Sequence, residues 1–135
     1  MKTSSFKQQV TVQASPAVIY DVLMNAKKHE VLTGAAAKIS SKVGGAFETY
    51  DGYAFGKNLE LIPGKRIVQT WRAKEDTWPE GHDSFITFEL KALPKGRTKL
   101  LFEHRAVPAS LAHNFKQGWI DFYWTPLKAM FNVKA

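Results

Sequence analysis

The chain has 135 residues, no cysteine and a formal net charge of +7, with an isoelectric point near 9.7. The length suits one domain able to bury roughly two-thirds of its unfolded-chain surface, and the lack of thiols excludes disulfides, thiolate metal sites and cysteine nucleophiles. No apolar run approaches the roughly 20 residues of a membrane span, and Met1-Lys2-Thr3-Ser4-Ser5 leads into no apolar signal core, so the expectation is a cytoplasmic chain without a membrane span.

Phe6 to Gln13 alternates as a first strand, with Val10 and Val12 on one side. Ser15-Pro16 reads as an N-cap followed by proline at the first helical position, and Val18, Ile19, Val22 and Leu23 form the apolar face of a short helix ending near Asn25. Lys27 to Leu32 is a second helical piece closed by Thr33-Gly34. Strands follow at Ala36 to Ser40, Ala46 to Tyr50, Tyr53 to Ile62, Arg66 to Lys74, Ser84 to Ala92 and Thr98 to Ala106. Gly44-Gly45, Asp51-Gly52 and Pro63-Gly64 supply turns between them, and Gly56 reads as a bulge or bend. Alternation puts Ile86, Phe88 and Leu90 on one face, and Leu100, Phe102 and His104 together on another.

Ser110 to Val133 reads as one long helix. At roughly 100° per residue, Leu111, Phe115, Trp119, Phe122, Pro126, Met130 and Val133 share one face, and Asn114, Gln117, Asp121, Lys128 and Asn132 lie opposite. Ile120, Trp124, Leu127 and Phe131 widen the apolar arc and need a partner of their own. Pro126 predicts a kink, because it leaves the Phe122 carbonyl without its helical donor. Antiparallel strands joined by tight turns and flanked by helices make this an α+β chain, a curved antiparallel sheet wrapped against one long helix.

Basic residues are spread along the chain. The one dense run, Lys91, Lys95, Arg97 and Lys99, brackets Pro94 and Gly96 and reads as a solvated hairpin tip. The charge suits acidic partners or solubility, and nucleic acid is not an expected partner. Gly44-Gly45 precedes a strand, which is the wrong geometry for a phosphate loop, and no catalytic set converges, so neither a cofactor nor an enzymatic activity is expected. Glu80, His82 and Asp83 lie in a loop where solvation is the simpler reading than a metal site. His29, in a polar stretch, and His113, off the buried helix face, have no expected role. His104 is either a buried histidine satisfied by a carbonyl or hydroxyl, or a polar group presented to a cavity. Trp71, Trp78, Trp119 and Trp124 with Phe47, Tyr53 and Tyr123 are either core or the lining of an apolar pocket.

In order, Ser15-Pro16 to Tyr20, Leu32-Thr33-Gly34, Gly44-Gly45-Ala46-Phe47, Asp51-Gly52-Tyr53 with Gly56, Leu59-Glu60-Leu61 and Pro63-Gly64 form a recognisable series. It continues through Arg66-Ile67-Val68, Trp71-Arg72, Trp78-Pro79-Glu80-Gly81-His82 and Val107-Pro108 to Trp119, Tyr123, Leu127, Lys128 and Phe131. This series resembles the activator of heat-shock protein 90 ATPase homologues, within the START-like (SRPBCC) superfamily. The resemblance implies a helix-grip fold around a cavity. In the eukaryotic co-chaperones this unit is similar to the C-terminal domain and follows a separate chaperone-binding domain, of which the expectation here is no counterpart. Stand-alone members of the superfamily look more often like carriers or enzymes acting on hydrophobic small molecules. The expectation is therefore a hydrophobic small molecule held between sheet and helix, its wall drawn from Phe47, Trp71, Phe102, His104, Trp119, Phe122 and Tyr123, with Phe88 as core. The alternative is a co-chaperone-like module contacting a heat-shock protein 90 type chaperone through its surface.

Overall fold

The structure is a computed structural model that describes residues 1–131; Asn132 and Val133, which the helical pattern includes, lie outside the described residues. Strand β1 (Thr3–Val12) leads into α1 (Pro16–Met24) and α2 (Ala26–Thr33). The Ser15 hydroxyl accepts from the Val18 N–H to cap α1, and Gly34, with φ of 76°, closes α2 in the left-handed region where glycine carries no Cβ penalty. Then come β2 (Lys38–Ile39), β3 (Ala46–Thr49), β4 (Ala54–Ile62), β5 (Arg66–Ala73), β6 (Ser84–Leu93) and β7 (Arg97–Pro108). All pairings are antiparallel, in the order β1-β7-β6-β5-β4-β3-β2. The first strand thus closes on the last, and α1 and α2 interrupt what is otherwise a meander.

The sheet is curved and grips the C-terminal helix. Register slips between Ser4 and Phe6 on β1 and between Asn58 and Glu60 on β4 supply bends. The β4 irregularity falls two residues beyond Gly56, the expected place. Gly56 serves a different need: a Cβ there would overlap the Thr70 carbonyl oxygen, so only glycine lets β4 approach β5. The strand expected at Ala36 to Ser40 shrinks to Lys38–Ile39, because the preceding residues are bound locally: Ala36 N–H to Asp51 and Ala37 N–H to Glu30. Ile86, Phe88 and Leu90 on β6 and Leu100, Phe102 and His104 on β7 are buried as the alternation requires. The basic run sits at the β6–β7 hairpin, with Pro94–Gly96 as its tip.

The final helix departs from a straight amphipathic rod. It consists of α3 (Ala109–Trp119), a π-helical turn (Ile120–Trp124) and α4 (Thr125–Phe131). The Thr125 N–H reaches back five residues to the Ile120 carbonyl. One extra residue in that turn rotates everything after Trp119 by about a quarter turn or more. Tyr123, Trp124 and Leu127 therefore inherit the buried face begun by Leu111, Phe115 and Trp119, while Phe122, expected on that face, is 57% exposed. Of the widened arc, Trp124 and Leu127 are buried and Phe131 half-buried, α4 packing on α2 and β1, while Ile120 stays 38% exposed.

Candidate functional site

Where the helix widens, two carbonyls leave the helical ladder and side chains from the sheet take them up. Pro126 has no N–H to offer Phe122, and the Tyr50 hydroxyl donates to that carbonyl at 2.7 Å. The Ile120 N–H turns to Gln117, and the Lys116 carbonyl accepts from the Gln8 amide at 2.9 Å. The other end of Gln8 accepts from Trp124 Nε1–H at 2.7 Å. The π turn is thus held from both flanks, by β1 and by the β3–β4 turn. Tyr50 occupies that turn with φ of 51°, and Asp51 follows at 58°. A left-handed tyrosine is sterically disfavoured. The strain places its ring against Phe122 and Tyr123, with centroids 5.7 and 5.8 Å away.

Beneath this corner lies a cavity of about 350 Å³ between helix and sheet. The sheet side contributes Tyr50, Tyr53, Ala54, Trp71 and Glu75; the helix side contributes Leu111, Asn114, Phe115, Gly118, Trp119, Phe122 and Tyr123. Seven of these are aromatic, and exposed Asn114 and Phe122 stand at the rim. Gly118 is what leaves the space open. A Cβ built there meets nothing nearer than the Phe122 ring at 3.9 Å, although glycine inside a helix costs about 1 kcal/mol relative to alanine. The polar corner is Tyr53, whose hydroxyl donates to the Glu75 carboxylate. Burial first, and then the Glu75 carboxylate, push the Tyr53 hydroxyl well above its ordinary range, while burial pushes Tyr50 up to about 12. Both remain neutral donors at physiological pH.

The buried wall behind the cavity is held by two histidines. Trp119 Nε1–H can only donate, so it fixes His104 Nδ1 as an acceptor at 3.1 Å. His104 Nε2–H then donates to Ser84 Oγ at 2.9 Å, and the Ser84 hydroxyl donates to the Trp71 carbonyl at 2.6 Å. Every polar atom in the relay is used. Burial holds the His104 pKa down at about 3, so the ring is a neutral strut tying α3 to three strands. His29 is a similar strut in the adjacent layer: Nδ1–H donates to the Leu23 carbonyl at 3.2 Å and Nε2 accepts from the Tyr123 hydroxyl at 3.0 Å. Burial lowers its pKa and raises that of Tyr123. His29 lies in a polar stretch and had no expected role; it is 4% exposed, because α2 turns it inward together with Leu32.

Of the residues expected at the wall, the structure brings Trp71, Trp119, Phe122 and Tyr123 around the cavity. Phe47 lies instead on a space of about 20 Å³ deeper between sheet and helix. Phe102 and His104 belong to the packed layer, Phe102 with its ring 4.4 Å from that of Trp119. They are a layer too deep because Trp119 and Phe115 cover them. Tyr50, Glu75, Asn114 and Gly118 were not legible as wall residues. A glycine between aromatic positions of an amphipathic helix was the available signal for the last. His82 donates to the Ala106 carbonyl at 2.7 Å, and Asp83 pairs with Arg72; among the described residues no three His, Asp or Glu side chains cluster to hold a metal.

Comparison with known proteins adds to this geometry. The model of the family described as "Activator of Hsp90 ATPase homolog 1-like protein" matches residues 13–132. The human Activator of 90 kDa heat shock protein ATPase homolog 1 is 36% identical over 126 residues, covering 93% of this chain and 36% of the human one. The Dictyostelium discoideum Activator of 90 kDa heat shock protein ATPase homolog is 32% identical over 117 residues, 87% of this chain and 30% of that one. The chain thus spans about a third of the length of these relatives. Among solved structures, an HSP90 activator from Plasmodium falciparum superimposes with a TM-score of 0.87 at 24% identity, covering 95% of this chain and 96% of that one. The Aha1 dimer from Colwellia psychrerythraea superimposes with a TM-score of 0.80 at 19% identity, covering 98% and 99%. At those identities the likeness is one of fold, the helix-grip arrangement described above.

Proposed function

The chain belongs to the Activator of Hsp90 ATPase homolog 1-like family, and from that premise we propose that it acts as a cytoplasmic helix-grip protein that carries a hydrophobic small molecule between sheet and C-terminal helix. The observation behind this reading is the aromatic cavity of about 350 Å³ that Gly118 keeps free of side chains. That volume lies within the range of small-molecule sites, and a mostly apolar wall with few polar groups is their usual chemistry. Gly118→Leu separates binding from folding. Its side chain would grow into the cavity from a position where the Cβ meets no clash, and helix propensity favours leucine over glycine by roughly 0.8 kcal/mol. Native mass spectrometry of gently purified wild-type protein, with a panel of lipids and aromatic compounds, should reveal a bound species that Gly118→Leu loses while its melting temperature holds or rises. A wild-type mass equal to the bare chain, with no response to the panel, would refute the reading.

A second reading rests on a different observation, the 36% identity to a human protein named for activating the 90 kDa heat-shock ATPase. In it the chain is an interaction module that meets a chaperone of that kind through its surface, its charge of +7 accelerating encounter with an acidic face. Isotope-labelled protein should then show localised, salt-dependent NMR shifts on addition of heat-shock protein 90 domains, equally in Gly118→Leu. An unchanged spectrum would sink this reading.

A further inference from the structure

The wall of the cavity has a charge character opposite to that of the chain. The sequence holds 19 lysines and arginines against 12 acidic residues, yet the cavity lining contains one carboxylate, Glu75, and no lysine, arginine or histidine. Ion pairs elsewhere among the described residues occupy Asp21, Glu60, Asp83, Glu89 and Glu103, and Glu75 is in none of them. It is half-buried, and its hydrogen bond comes from the neutral hydroxyl of Tyr53, itself a wall residue. That bond anchors the carboxylate at the cavity, and among the described residues no lysine, arginine or histidine pairs with it. The rings of Tyr50, Trp71, Phe115, Trp119 and Phe122 line the same cavity, and the faces of such rings carry the negative end of the ring quadrupole.

We propose that the cavity selects an aromatic amine, a ligand whose ring fills the apolar space and whose ammonium group meets Glu75. This rests on the small-molecule reading of the cavity and names its ligand class. An uncharged aromatic ligand would use the rings and leave the Glu75 charge desolvated beside it, which is unfavourable. An anionic one would add repulsion. A cation replaces the water that Glu75 loses when the cavity fills, and gains from the ring faces as well. The overall positive charge opposes this weakly, because exposed charges more than about 8 Å away are largely screened at physiological salt, and Lys74, the neighbour of Glu75 in sequence, is exposed and makes no ion pair with it.

The test uses three probes of one shape: 2-(aminomethyl)naphthalene, 2-(hydroxymethyl)naphthalene and 2-naphthoate, titrated calorimetrically into the full chain at pH 7 and physiological salt. The amine should bind about tenfold tighter than the alcohol, and the carboxylate weakest. Glu75→Gln, which can still accept from Tyr53, should bring the amine down to the alcohol and leave the alcohol unchanged. Alcohol binding as tight as amine binding in the wild type overturns the inference while leaving the cavity reading intact, and needs no variant to decide it. No binding by any of the three overturns both. Amine preference that survives Glu75→Gln, in protein with an unchanged circular dichroism spectrum, also refutes it, since the selectivity would then lie elsewhere.

Discussion

His104 makes the fold sensitive to acid in a way that can be calculated. Its ring is fully buried and neutral, with Nδ1 committed to accepting from Trp119. Protonation would set two N–H groups against each other, and burial alone holds the folded pKa at about 3 against an ordinary 6.5. The unfolded chain takes up a proton below pH 6.5 and the folded chain does not until about pH 3. Stability is therefore fully present above about 6.5, falls as the pH drops through the window between these values, and levels off below it. The slope within the window approaches about 1.4 kcal/mol per pH unit, so lowering the pH from about 7 to 5 removes about 2 kcal/mol. That is a large share of the roughly 5–15 kcal/mol typical of a domain. Urea unfolding at half-unit intervals from about pH 7.5 to 4 measures it. His104→Gln should be less stable at pH 7 by about 1–3 kcal/mol through its disrupted relay, but its stability should fall less steeply with acid, and the difference between the two curves isolates His104 from the like-signed contribution of His29. Parallel curves for wild type and variant, or a His104 ring signal titrating near its ordinary value in NMR, would refute the reasoning.

Two further outcomes follow from the backbone geometry. Tyr50→Phe should lower stability by about 1 kcal/mol in urea unfolding, because the Phe122 carbonyl left free by Pro126 loses its donor; an unchanged midpoint would mean water serves that carbonyl equally well. Gly56→Ala should lower stability by about 3 kcal/mol or more in thermal unfolding, since a Cβ overlapping the Thr70 carbonyl oxygen must force β4 from β5. A loss below about 1 kcal/mol, the ordinary glycine-to-alanine range, would show that the strands can yield.

The strands were legible because alternation is a local property. Ile86, Phe88 and Leu90 point one way on any pleated strand, and the same rule put Leu100, Phe102 and His104 together in the core. Turn dipeptides and the Ser15-Pro16 cap carry their own geometry, which is why the order of elements could be read before any contact was known. The resemblance to the activator family rests on such local marks in series. Pro126 was also informative: it identified the carbonyl, Phe122, that would need a donor, though nothing in the sequence pointed to Tyr50 as its source, 72 residues away.

The helix face shows where that reading stops. A period of about 3.6 residues predicted Phe122 as buried, and one additional residue in the π turn moved the burial to Tyr123 and Trp124. Such a turn depends on Gln8 serving the Lys116 carbonyl and Tyr50 the Phe122 carbonyl that Pro126 leaves free, and that is decided by the whole fold. His29 is a similar case, since the Leu23 carbonyl and the Tyr123 hydroxyl satisfy its ring nitrogens and permit burial among polar neighbours.

By itself, then, the sequence determined an α+β chain with an aromatic helix laid on an antiparallel sheet, because side-chain direction along a helix or strand follows from local repeat. The tertiary structure decided which rings face space and which face each other. A cavity is the difference between two surfaces, and its shape depends on Gly118 on the helix standing opposite Tyr53 and Trp71 on the sheet, a juxtaposition no local period encodes.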